Sequence, residues 1–121
     1  MTFKMRAASL LSAGALLGMC LVSVSATSAS AQPWHCYVPA NNNSSGVMRL
    51  EKTLAFKNGP YSECDDGKFG LKGNKFYIWC FIENSHGNAW YFGREDGTED
   101  KGWVYSGNLT YLSGSLRECY T

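Results

Sequence analysis

Hydrophobic positions divide the chain into an apolar N-terminal run and a longer part with strand-like alternation. Residues 7–24 are almost all small or apolar. From residue 47 onward, apolar side chains recur mainly at every second position, and no window after residue 31 keeps the helical i, i+3, i+4, i+7 spacing. Successive side chains of a strand point to opposite faces of a sheet. The pattern therefore predicts an all-β domain behind an N-terminal apolar segment.

The clearest strand signal is KFYIWCFI, because every side chain from Phe76 to Ile82 is aromatic, β-branched or cysteine. Glycines at positions 67, 70 and 73 favour a loop over residues 61–74. Further strands are predicted at 47–57, 89–95, 102–106 and 109–112, with turns rich in Asn, Asp and Gly between them. About five short strands of this kind close most simply as a small barrel or as two packed sheets.

Period-two alternation also assigns side chains to faces. In the strongest strand, the face predicted to be core holds Phe76, Ile78, Cys80 and Ile82, and the opposite face holds Tyr77, Trp79 and Phe81. In the following strands, Tyr91 and Val104 are the predicted core residues. This assignment leaves more aromatic rings than one modest core can bury.

Two interpretations of these extra rings stay open. In the first, a strongly bent barrel and the N-terminal arm cover both faces of the sheet. In the second, some rings form an exposed apolar groove, and a large exposed apolar patch on a small protein usually marks a binding site. Trp90 and Trp103 are expected at its edge, half packed and half exposed. The candidate groove residues are Tyr77, Trp79, Trp90, Trp103 and Tyr105.

The N-terminal segment has the features of a cleaved signal peptide. Lys4 and Arg6 precede the apolar run, and Ala29-Ser30-Ala31 matches a small-residue cleavage site, so cleavage is expected between Ala31 and Gln32. Met19 stands before Cys20 where a lipidation site has a small residue, which disfavours a lipid anchor. The predicted organisation is a signal peptide (1–31), an irregular arm (32–46) and a β-domain with a short C-terminal tail (47–121), secreted from the cell.

The mature chain is small and nearly neutral. Removing 31 of the 121 residues leaves 90, with nine Lys/Arg and ten Asp/Glu, a formal charge of −1. The sequence contains no arginine cluster and no basic stripe, the features that would indicate binding to nucleic acid. No later apolar run approaches the ~20 residues that a membrane-spanning helix needs, so no membrane association is expected after cleavage.

Cysteine usage agrees with export. Cys20 leaves with the signal peptide, and the other four are Cys36, Cys64, Cys80 and Cys119. An even number in a short secreted chain predicts two disulfides, and the residues alone leave three pairings open. Zinc sites usually contain closely spaced ligand pairs, which these cysteines lack, so no metal or other cofactor is expected.

Catalytic and calcium-binding interpretations find little support in the sequence. His86 follows Glu83 by three residues in a predicted turn, where a Glu/His pair can perform acid–base chemistry, but Arg94 is the only arginine in the neighbouring strand. A solvated turn is the simpler interpretation, and the chain is predicted not to be an enzyme. The acidic loop containing Glu95, Asp96, Glu99 and Asp100 lacks the spacing of a calcium-binding loop and is predicted to be a solvated hairpin tip.

Two segments resemble the bacterial SH3 domain family, and the resemblance covers roughly Val47 to Leu112, most of the predicted mature chain. LAFKNGPY resembles that family's first strand and following loop, and GNAWYFGREDGTEDKGWVYSGNL resembles its later half. Gly93 stands where valine is commoner in the family, and the four cysteines and the arm are additions. The matched positions in the later half are Gly87, Trp90, Gly97, Gly102, Trp103, Val104 and Leu109.

The resemblance implies a small, five-stranded, SH3-like β-barrel whose chain ends lie together. It thereby implies the disulfides Cys36–Cys119 and Cys64–Cys80. It also implies a non-catalytic module, expected to be a monomer, that binds a cell-wall polymer, a wall peptide or another extended peptide through the aromatic groove. The alternatives are a secreted protein-binding inhibitor or interbacterial effector and, less favoured, a small secreted hydrolase.

Overall fold

The computed structural model of the protein describes residues 32–120. The predicted signal peptide and Thr121 lie outside the described residues. Two single-turn 3-10 helices, Trp34–Cys36 and Ser106–Asn108, accompany the strands. The strands are β1 (Val47–Leu50), β2 (Leu54–Lys57), β3 (Asp66–Gly70), β4 (Lys75–Glu83), β5 (Ala89–Glu95), β6 (Lys101–Tyr105) and β7 (Leu109–Ser113).

All seven strands belong to one antiparallel sheet in the order β3-β2-β6-β5-β4-β1-β7. The prediction of an all-β fold is confirmed. The sheet is not closed into a five-stranded barrel: it has seven strands, and β3 and β7 are its two ends. Its central part is the meander β4-β5-β6, in which β4 pairs with β5 from Phe76 opposite Glu95 to Glu83 opposite Ala89.

The strands predicted most clearly are the ones with the strongest alternation. β4 and β5 occupy the predicted positions. The long strand predicted at 47–57 is instead two strands, interrupted by the exposed residues Glu51, Lys52 and Thr53. The segment 61–74, predicted to be a loop, contains the strand β3, so this prediction was wrong. Only Gly70 of that strand is buried. A strand that buries one glycine carries no hydrophobic alternation.

One core holds the sheet together. Its buried side chains come from five strands and are Met48, Leu50, Phe56, Phe76, Ile78, Val104 and Leu109. Leu50 of β1 and Phe56 of β2 share this core although three strands separate β1 from β2 in the sheet, so the sheet curls around it. Val104 is buried as predicted, and Tyr91 is half-buried against the same cluster. Burial raises the pKa of the Tyr91 phenol.

The disulfides are Cys36–Cys64 and Cys80–Cys119, so two bridges are confirmed and the implied pairing is wrong. The C-terminal tail runs beside β4, where the Phe81 amide donates to the Arg117 carbonyl and the Cys119 amide donates to the Phe81 carbonyl. This pairing places Cys119 next to Cys80. Closing loops of 28 and 39 residues contributes about 4 kcal/mol per bridge in the chain-entropy model.

The two ends of the domain do meet, as the resemblance implied, but through hydrogen bonds. The Ser45 and Ser115 hydroxyls lie 3.0 Å apart, and the Asn43 side-chain amide donates to the Glu118 carbonyl over 2.7 Å. The proximity of the chain ends was therefore a sound expectation. It did not determine the disulfide pairing, because Cys36 lies nine residues before Ser45 and packs against the 58–64 loop instead.

Candidate functional site

The five predicted groove residues do not form one surface. Trp103 is 1% exposed and Trp90 6% exposed, which corrects the expectation that both are half exposed. Trp103 is buried partly because its ring packs on Phe92 at 5.3 Å, and Phe92 in turn packs on Trp79 at 5.4 Å. Tyr105 is 38% exposed. The rings on this face therefore cover one another, and Tyr105 is the most exposed of the candidates.

Tyr77 and Trp79 line a depression of their own, where cationic side chains lie over their rings. The Arg94 guanidinium is 5.2 Å from the Tyr77 ring centroid, and the Lys101 ammonium is 5.7 Å from that of Trp79. Tyr77 donates a hydrogen bond to Asp96, which raises the pKa of its phenol. Both rings are half-buried. They already have intramolecular partners on this face.

Trp90, Trp103 and Tyr105 instead line a cleft of about 410 Å³ between β2, β3 and the end of β6. A second cavity of about 330 Å³ shares Lys57, Trp90, Tyr105 and Asn108 with it. The two are thus neighbouring parts of one surface, which we call the aromatic cleft.

Phe69 forms the outer wall of the aromatic cleft and is 60% exposed. The sequence does not single out this residue, because it lies on β3, in the segment predicted to be a loop. A large exposed ring beside a cleft is a typical binding feature, since aromatic side chains contribute much of the contact energy at interfaces.

Two lysines contribute charge to the aromatic cleft. The Lys57 ammonium lies 2.6 Å from the Asp66 carboxylate, which offsets its charge. Lys52 is exposed and lies at the cleft wall without an ion pair among those found in residues 32–120. The cleft is therefore apolar at its base and carries one net positive charge at its rim.

The indole nitrogen of Trp90 is the unusual feature of the cleft wall. It is buried, and no hydrogen-bond acceptor within the described residues reaches it. A buried donor without a partner costs about 1–3 kcal/mol, and most buried polar groups in native proteins are hydrogen-bonded. Trp90 lines both cavities of the aromatic cleft. The nitrogen itself is closed off from both cavities, because less than 1 Å² of it is accessible.

Comparison with family models, with curated proteins and with solved structures finds no match to this chain. Within residues 32–120, no helix has the length and apolarity to cross a membrane. The same residues contain no cluster of three or more His, Cys, Asp or Glu side chains arranged to hold a metal ion. Two disulfides indicate an oxidising environment.

Histidine chemistry is arranged differently from the Glu83/His86 pair considered from the sequence. The carboxylate that contacts a histidine is Glu63, whose Oε2 lies 2.8 Å from Nε2 of His35.

The acidic hairpin tip also differs from the prediction at one position. Glu95 is 3% exposed and accepts hydrogen bonds from the Leu71 amide and the Asn74 side chain, so it does not belong to a solvated tip.

Proposed function

We propose that this protein is a non-catalytic module that binds an extended peptide, such as the peptide part of a cell wall, in the aromatic cleft. The observation that carries the proposal is the exposed ring surface of Tyr105 and Phe69 beside two adjoining cavities. Trp90 adds a largely buried ring to the wall that both cavities share.

The form of the cleft favours an extended ligand over a compact one. Its two cavities adjoin at Tyr105 and Trp90 and continue from β3 toward the β4–β5 turn. Extended peptides offer alternating side chains, which suit two neighbouring pockets. The ammonium of Lys52 at the rim suits a carboxylate on that ligand.

The proposal includes an SH3-like architecture, monomeric state and secretion. Support for the first comes from the β4-β5-β6 meander and from the curled sheet in which β1 and β2 share one core. Secretion follows from the predicted signal peptide, and the two disulfides agree with it.

A protein-binding inhibitor or effector is the second candidate, favoured by a different surface. β7 is a terminal strand of the sheet, and its residues Tyr111 and Leu112 are 53% and 40% exposed. An unpaired strand edge with exposed apolar side chains can add a strand from another protein. This surface lies apart from the residues that line the aromatic cleft.

The primary test is sedimentation of the mature protein, residues 32–121, with insoluble peptidoglycan. The proposal predicts that the protein sediments, and that soluble peptides released from the same peptidoglycan compete it into the supernatant. Insoluble cellulose serves as the control for non-specific adsorption. A protein that stays in the supernatant with peptidoglycan contradicts wall binding and makes a protein partner the better candidate.

A further inference from the structure

A further cavity, next to the end of the aromatic cleft at the β4–β5 turn, brings His35 and His86 together. It measures about 370 Å³ and is formed by the N-terminal arm, the 58–65 loop and the β4–β5 turn. We call it the histidine pocket. Its lining residues are Trp34, His35, Tyr61, Glu63, Ser85 and His86.

The histidine pocket is built from a chain of rings in edge-to-face contact. The Tyr61 ring lies between the two imidazoles, 4.4 Å from the centroid of His35 and 5.5 Å from that of His86. The Trp34 ring follows at 5.8 Å from His35 and nearly perpendicular to it. Trp34 is 84% exposed, and a large exposed aromatic ring beside a cavity is typical of a binding site. Tyr61 is 9% exposed, so the pocket is closed on the Tyr61 side and open to solvent at Trp34.

Local covalent and hydrogen-bonded structure holds these rings in place. The Cys36–Cys64 disulfide joins the residues that directly follow His35 and Glu63, and so fixes this pair side by side. On the opposite side, the Tyr61 hydroxyl donates to Ser85 Oγ and accepts from the Ser85 amide, both at 3.1 Å. The pocket is consequently preorganised, which lowers the entropic cost of binding.

Charge in the histidine pocket is negative when the imidazoles are neutral. Glu63 is its one carboxylate, and neither lysine nor arginine is among the lining residues. A hydrogen bond from its own backbone amide and a contact with His35 lower the pKa of Glu63. The carboxylate is thus ionised at neutral pH, next to several electron-rich ring surfaces.

We propose that the histidine pocket binds an alkylammonium cation, such as a quaternary ammonium or methylated amine. Aromatic rings attract such cations through their negative faces, and sites for quaternary ammonium are typically cages of aromatic side chains. Trp34 and Tyr61 supply the rings, and Glu63 supplies the compensating charge. This pocket adjoins the aromatic cleft, with which it shares His86, but its proposed ligand is different from the extended peptide.

The test uses choline as the probe and the mature protein at pH 8. Choline is expected to shift the indole resonance of Trp34 in an NMR titration. The tert-butyl analogue of choline, in which carbon replaces the charged nitrogen, is expected to produce no saturable shift. Equal binding of choline and this neutral analogue would contradict a cation site and indicate a simple apolar pocket.

Variants separate the rings from the charge. Trp34→Ala is expected to weaken choline binding by about two- to thirty-fold, since one cation–π contact contributes about 0.5–2 kcal/mol. Because Trp34 itself is then absent, the His86 resonances report the titration. Glu63→Gln is expected to weaken binding by a similar factor, and Tyr37→Ala, an exposed ring outside the pocket, should leave it unchanged. Full choline affinity in either pocket variant, or no saturable choline shift in the wild type, would overturn the proposal.

Discussion

Replacing Glu95 with alanine is expected to lower the free energy of unfolding by about 2 kcal/mol, because it leaves two part-buried donors without their acceptor. The Oε2 atom of Glu95 accepts from the Leu71 amide at 2.9 Å and from the Asn74 side chain at 2.8 Å. These bonds attach the β3–β4 turn to the end of β5. Leu50 of the core is attached to the same turn through hydrogen bonds with Gly73 and Asn74.

Glu95→Gln is the matched control, since the glutamine side-chain oxygen can accept both hydrogen bonds from the same position. It is expected to lose less than half as much stability as the alanine variant. Urea denaturation followed by tryptophan fluorescence measures both values. Equal stability of Glu95→Ala and the wild type would show that the buried carboxylate does not hold the turn.

Tyr105→Ala is expected to reduce binding of soluble wall peptides by ten-fold or more. Tyrosines at the centre of an interface typically contribute about 2 kcal/mol, which corresponds to roughly thirty-fold in affinity. Tyr105 adjoins both cavities of the aromatic cleft and packs on Trp90 at 5.6 Å. Isothermal titration calorimetry with peptides released from peptidoglycan measures the effect.

The control for this experiment is Tyr111→Ala, which removes an exposed tyrosine from β7, outside the cleft. Its affinity is expected to equal that of the wild type. Far-UV circular dichroism confirms that both variants are folded. Loss of binding in Tyr111→Ala but not in Tyr105→Ala would move the site to the β7 edge and favour the inhibitor hypothesis.

The sequence predicts those strands in which buried apolar side chains alternate with more exposed ones. β4 and β5 were located because their alternate positions hold large apolar side chains. β3 was missed because its burial rests on Gly70, where an added Cβ would collide with Phe56 and Leu50. Close backbone approach of this kind has no hydrophobic signature in a single sequence.

The candidate site was predicted in part, for a related physical reason. Alternation assigns Trp90 and Trp103 to a face but does not show which neighbours cover that face, so their burial was unexpected. The sequence around Glu95 has the composition of a solvated turn. Only the folded structure shows that the Glu95 carboxylate accepts hydrogen bonds from Leu71 and Asn74. Cysteine spacing likewise leaves the pairing open, because the tail's position beside β4 determines it.

The most direct test of the central claim is the NMR signal of the Trp90 indole N–H during titration with soluble wall peptides, assigned by comparison with Trp90→Phe. We expect its chemical shift to change and to saturate with the peptide, because the ligand packs against the Trp90 side chain that lines both cavities. The indole signals of Trp34 and Trp79, which lie outside the cleft, should stay in place. Saturable peptide binding with an unchanged Trp90 signal would contradict the account.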